Sequence, residues 1–116
     1  NRISGISEFS QNIYLKGHNN NIENIVVSDR LLFANMGYIL KNKNVRLHMP
    51  YEENTKITNH FKISSALEKK MNKNFILIGS LDDIKYLENN FVTNKIVVPE
   101  YAFIKKEVGV YEVLFN

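Results

Sequence analysis

The 116-residue chain contains no cysteine and no tryptophan. Without a thiol, disulfide frameworks, thiolate zinc sites and cysteine nucleophiles are excluded. The absence leaves the compartment open, because a secreted or periplasmic domain of this size can fold without disulfides. No run approaches the roughly 18 consecutive apolar residues of a membrane span, and the N-terminal residues lack a signal-peptide pattern. The phosphate-binding glycine loops are missing too. The turn after the first apolar run reads Ser28-Asp29-Arg30-Leu31, without the glycines of G-x-G-x-x-G, and no G-x-x-x-x-G-K occurs. His18, His48 and His60 show no ligand spacing, so neither a metal nor a cofactor is expected.

What is present describes one globular domain. Hydrophobic residues make up 44% of the chain and charged residues 23%, which excludes a disordered or collagen-like polymer. The net charge is +3, but Lys and Arg are scattered rather than gathered on one segment, so no nucleic-acid partner is expected. The chain opens on Asn1 rather than Met, and we expect a single domain over 1–116 that is a fragment of a longer polypeptide.

The hydrophobic spacing alternates between two periods. Ile6, Phe9 and Ile13 share one face of a short helix, which Gly17 and the asparagines after it break. Ile25-Val26-Val27 is apolar on consecutive positions, as in a central parallel strand covered on both faces. Leu32, Met36, Ile39 and Leu40 make the stripe of a second helix. Residues 45–49 alternate, which suits an edge strand, and Pro50 stops it. A charged stretch over 51–58 reads as a loop. Ile63, Leu67 and Met71 have helical spacing, and Phe75-Ile76-Leu77-Ile78 repeats the buried-strand pattern. Ser80 to Asp83 reads as a capping box opening a helix that buries Ile84, Leu87 and Phe91. A fourth strand is expected at 96–98, then a closing hairpin of 101–104 with 110–115.

This order predicts an α/β fold: a three-layer, Rossmann-like or flavodoxin-like sheet, mostly parallel, in strand order 2-1-3-4-5 with an antiparallel C-terminal hairpin. The expected buried set is Ile25, Val27, Leu32, Met36, Ile39, Ile76, Ile78, Ile84, Leu87 and Val97. In open α/β sheets ligands bind beyond the carboxyl ends of the strands, at the switch in strand order. That rule selects Asp29, Arg30 and His60 as candidate ligand-binding residues. The plainer reading is that Ser28 or Asp29 N-caps the next helix while Arg30 pairs with a neighbouring acid. It carries more weight for catalysis. Ser28, His60 and Asp29 could be assembled into a triad, but no G-x-S-x-G elbow supports one. Asp82 and Asp83 sit on one turn and cannot converge as an acid/base pair, so no catalytic residue is assigned.

Several segments in order resemble a known family. Ile25-Val26-Val27-Ser28-Asp29-Arg30, a helix closing in Gly37-Tyr38-Ile39-Leu40, Asn59-His60-Phe61, the apolar strand 75–78 and Val110-Tyr111-Glu112-Val113 are similar to the soluble region of bacterial membrane glycosyltransferases. That family comprises the protein O-mannosyltransferases and the lipid A aminoarabinose transferases. Gly37 departs from its pattern, where an aromatic residue is commoner, and so does the Lys-rich C-terminal segment. The resemblance implies a parent that moves a sugar from a polyprenyl-phosphate donor to a lipid or protein acceptor on the periplasmic side of the membrane. The catalytic carboxylate of that family lies in an early extracytoplasmic loop, outside this chain. The domain would then be a non-catalytic lobe, with the transmembrane portion of the same protein, and a lipid-linked sugar or acceptor, as partners. The alternative is a free-standing α/β module that binds a small ligand or a partner.

Overall fold

The computed structural model describes residues 5–51 and 66–116. In chain order these form helix α1 (Ile6–Asn19), strand β1 (Asn24–Val27), helix α2 (Arg30–Ile39), strands β2 (Arg46–His48) and β3 (Phe75–Gly79), a 3-10 turn (Leu81–Ile84), and strands β4 (Phe91–Lys95) and β5 (Gly109–Phe115). The five strands make one mixed sheet in the order β2-β1-β3-β5-β4. β1 pairs in parallel with β2 and β3, with Ile25 opposite Leu47 and Ile76, while β5 runs antiparallel to both β3 and β4.

Every residue of β1 and β3 is buried. Because alternate strand residues point to opposite faces, the two strands feed two cores. On one face Ile25, Val27, Ile76, Ile78 and Val110 pack with Ile6, Phe9 and Ile13 of α1 and with Leu32 and Met36 of α2. On the other, Val26, Phe75, Leu77 and Val113 pack with Leu67 and Ile84. Right-handed crossovers leaving β1 and β2 in opposite directions must use opposite faces. The placement of Leu32 and Leu67 in different cores agrees with that rule. Both described helices lie on the first face. The second is covered, within the described residues, by the stretch around Leu67 and by the turn after β3, so the described residues show a helical layer on one face of the sheet.

Polar groups stitch that second cover together. The Tyr86 hydroxyl donates to the Leu67 carbonyl at 2.8 Å and accepts from the Tyr51 amide at 2.9 Å. The Glu88 amide donates to the Lys69 carbonyl, and the Asn89 side-chain amide reaches the carbonyls of Lys70 and Met71. These bonds explain why no helix runs on from the capping box to Phe91. The chain after Ile84 holds the carbonyls of Leu67, Lys69, Lys70 and Met71, and Phe91 is claimed by β5 and packs edge-on against Phe115 at 5.9 Å. For the same reason residues 67–71 form a turn rather than the expected helix. Residues 61–65 of that helix, and most of the expected loop at 51–58, lie outside the described residues.

The C-terminal third departs most from the sequence reading. The fourth strand is 91–95, not 96–98, and the hairpin partner of β5 is β4 rather than 101–104. β5, with Val110 and Val113 fully buried, takes the inner position, and the more polar β4 takes the edge; the order is therefore 2-1-3-5-4 instead of 2-1-3-4-5. The ladder continues one residue past β4, where the Ile96 amide donates to the Val110 carbonyl. Beyond it Ile96 and Val98 turn toward the helical face, while Val97 is 93% exposed instead of buried. Ile39 and Leu87 are only half-buried. Tyr101 and Phe103 are not in a strand. They fold back over α1, each ring meeting Phe9 edge-on at 5.6 Å, and Tyr101 lies against Gly5. Gly5 enters α1 at φ 90°, a left-handed conformation that L side chains rarely adopt.

Truncating Ile76 to Ala should lower unfolding free energy by about 2–5 kcal/mol, read from urea denaturation. Val97→Ala should stay within about 0.5 kcal/mol. Tyr86→Phe should cost about 1–3 kcal/mol, because it leaves the Leu67 carbonyl and the Tyr51 amide without their partner.

Candidate functional site

The carboxyl ends of β1, β2 and β3 lie side by side, and the chain leaves β1 and β3 in opposite directions. The switch point between those two strands is where an open α/β sheet places a ligand. Its residues are Ser28, Asp29 and Arg30 after β1, Gly79 at the end of β3 with Ser80 and Asp83 after it, and Gly109 at the start of β5 opposite Gly79.

The polar atoms here are directed into the fold. The Ser28 amide and hydroxyl both donate to the Ile78 carbonyl, at 3.1 and 3.3 Å. The Ser80 hydroxyl accepts from the Asp82 amide, and the Asp83 carboxylate accepts from the Ser80 amide at 2.8 Å, closing the reciprocal box. A Cβ on Gly79 would sit 2.6 Å from Ser28 Oγ and 2.7 Å from Asp83 Oδ2. The crevice between β1 and β3 is thus filled by these two side chains, and only glycine fits beneath them.

Asp29 caps α2, with Oδ1 accepting from the Leu32 amide at 2.9 Å. A helix N-terminus attracts an anion, and here the protein's own carboxylate occupies that place. Asp29 Oδ2 lies 3.7 Å from Lys105 Nζ. Arg30 is exposed and has no ion-pair partner among the described residues. His60 lies outside the described residues. Of the three candidates, then, Asp29 is engaged by α2 and by Lys105, and Arg30 stands at the rim. The sequence reading missed Lys105, because it assigned that residue to a hairpin turn; no local spacing links it to Asp29.

Elsewhere, His18 stacks on Tyr14 at the end of α1. His48 on β2 bonds through Nε2 to Oδ1 of Asn24, a buried amide on β1, at 2.9 Å. Among the described residues no group of three His, Asp or Glu side chains could hold a metal ion, and no helix is long and apolar enough to cross a membrane. A hollow of about 380 Å³ at the opposite end of the sheet is lined by Asn72, Asn89, Asn90, Phe115 and Asn116. Its side chains offer amides and one ring, with no group suited to proton transfer.

Burial, reinforced by the Arg46 charge, pushes the His48 imidazole below its ordinary pKa. The unfolded chain therefore binds a proton more readily than the folded one as pH falls. The stability this residue provides is complete above the unfolded value of about 6.5 and is lost as pH falls through the folded value. The melting temperature should drop as pH falls below about 6.5, and His48→Gln should flatten that drop; a calorimetric pH series on both proteins checks it. Comparison with known protein families, with characterised proteins and with solved structures gives no match to this chain.

Proposed function

We propose that this domain is a non-catalytic extracytoplasmic lobe of a membrane glycosyltransferase that uses a polyprenyl-phosphate sugar donor. The observation that carries the reading is where the motifs that resemble that family fall. Residues 25–30, 75–78 and 110–113 come from distant parts of the chain, yet they supply the adjacent strands β1, β3 and β5 and the junction into α2. The resemblance therefore follows the centre of one sheet. A non-catalytic role is supported by the switch point, where Ser28, Asp29 and Asp83 hold backbone groups of the fold itself. On this reading the lobe lies on the periplasmic face, against the transmembrane part of the same protein, and frames the approach of a lipid-linked sugar or its acceptor.

The test uses the complete reading frame. Membranes carrying the full protein should transfer labelled sugar from a polyprenyl-phosphate donor, and the isolated 116-residue chain should not. Arg30→Lys in the full protein should leave transfer intact, since Arg30 touches no reacting group. A reading frame without several transmembrane helices, or transfer by the isolated chain, overturns the proposal. The competing module makes a different forecast: a sugar phosphate or nucleotide at a hundredfold excess over Kd would stabilise the isolated domain by ~2.7 kcal/mol in a thermal-shift series.

A further inference from the structure

Helix α2 is apolar almost all round. Arg30 and Asn35 are its strongly polar residues, and Leu31, Leu32, Phe33, Ala34, Met36, Tyr38 and Ile39 fill the rest. A helix of that composition is ordinarily buried on every side. Here Leu32 and Met36 are buried against the sheet, but Leu31 is 61% exposed and Tyr38 72% exposed. With exposed Ala34 between them, they form a stripe at spacing i, i+3, i+7, about 10 Å long. The space around Gly37 is open as well, with no atom within 4 Å of where a Cβ would stand.

Beyond the N-cap Asp29, which is engaged by the Leu32 amide and Lys105, the charge beside this stripe has one sign. From Arg30 to Tyr51 the chain carries Arg30, Lys41, Lys43 and Arg46 and no Asp or Glu. Two of these cations sit beside aromatic rings on the same layer: Lys41 Nζ is 4.6 Å from the Tyr38 ring centre, and Lys43 Nζ is 5.4 Å from that of Tyr14. Protruding apolar side chains, a tyrosine at their edge and cations beside it suit the boundary between acyl chains and headgroups. Basic residues near an anionic leaflet add attraction.

We propose that the outer face of α2, with Leu31 and Tyr38 as apolar anchors and Arg30, Lys41 and Lys43 as headgroup contacts, docks on a bilayer containing anionic phospholipid. A nucleic acid would use the cations but gain nothing from Leu31, and that distinguishes the two partners. The proposal deepens the reading of the domain as a lobe beside a membrane and rests on it, but its test needs no sugar transfer.

Flotation of the 116-residue chain with vesicles provides that test. The protein should rise with phosphatidylcholine vesicles containing about one third phosphatidylglycerol, remain behind with pure phosphatidylcholine, and detach as salt is raised. Leu31→Ser/Tyr38→Ser and Lys41→Gln/Lys43→Gln should each weaken partitioning about tenfold, with circular dichroism unchanged because all four side chains are exposed. Val97→Ser, an exposed apolar site beyond β4, should bind like the parent. Absence of binding to anionic vesicles at low salt overturns the proposal. So does binding indifferent to Leu31 and Tyr38, or equal affinity for a DNA duplex. A negative flotation with sugar transfer intact rejects the docking face alone, and positive flotation without transfer rejects the enzyme assignment alone.

Discussion

The parallel pair of β1 and β3 is the constraint from which the rest of the structure follows. Both strands bury every residue, so neither face of the sheet can meet water at its centre. Two covers are therefore required, and the chain builds them differently. One is two helices and a returned aromatic segment. The other, within the described residues, is irregular chain tied down by hydrogen bonds to its own carbonyls. An irregular segment can lie over a core only if its backbone groups find partners. Tyr86 and Asn89 supply them.

The same accounting explains the switch point. A sheet of this kind presents strand ends and helix amides where a ligand could sit. Ser28, Asp29, Ser80 and Asp83 use their oxygens to hold those ends in place. The position is occupied by the protein's own side chains. On α2, by contrast, Leu31 and Tyr38 leave apolar surface exposed.

Local patterns in the sequence were enough to identify the centre of the fold. Consecutive apolar residues at 25–27 and 75–78 announced the two inner strands, the alternation at 45–49 announced an edge, and Ser80 to Asp83 announced its cap. Long-range competition decided the remainder. Phe91 has helical spacing with Ile84 and Leu87, yet an antiparallel neighbour with Phe115 at hand outbids a helix that would begin from a single 3-10 turn. Val97 lies in an apolar run, but the sheet has already ended there, and one side of the run faces open space. The same holds for the candidate site. Asp29 as a cap was readable from its position before a helix. Its contact with Lys105 depends on how the segment after β4 folds back, and no local rule encodes that.

The packing of Tyr101 and Phe103 on Phe9 joins the first helix to a segment near the other end of the chain. Contacts between such distant residues close large loops, and large loops slow folding. On a ribosome, α1 and β1 emerge long before β5 and the residues that cap Phe9. Until then Phe9 lacks part of its cover and one edge of β3 stays unpaired. Completion of this domain is thus a late, single event in its synthesis, and the nascent chain needs protection from aggregation until its last strand arrives.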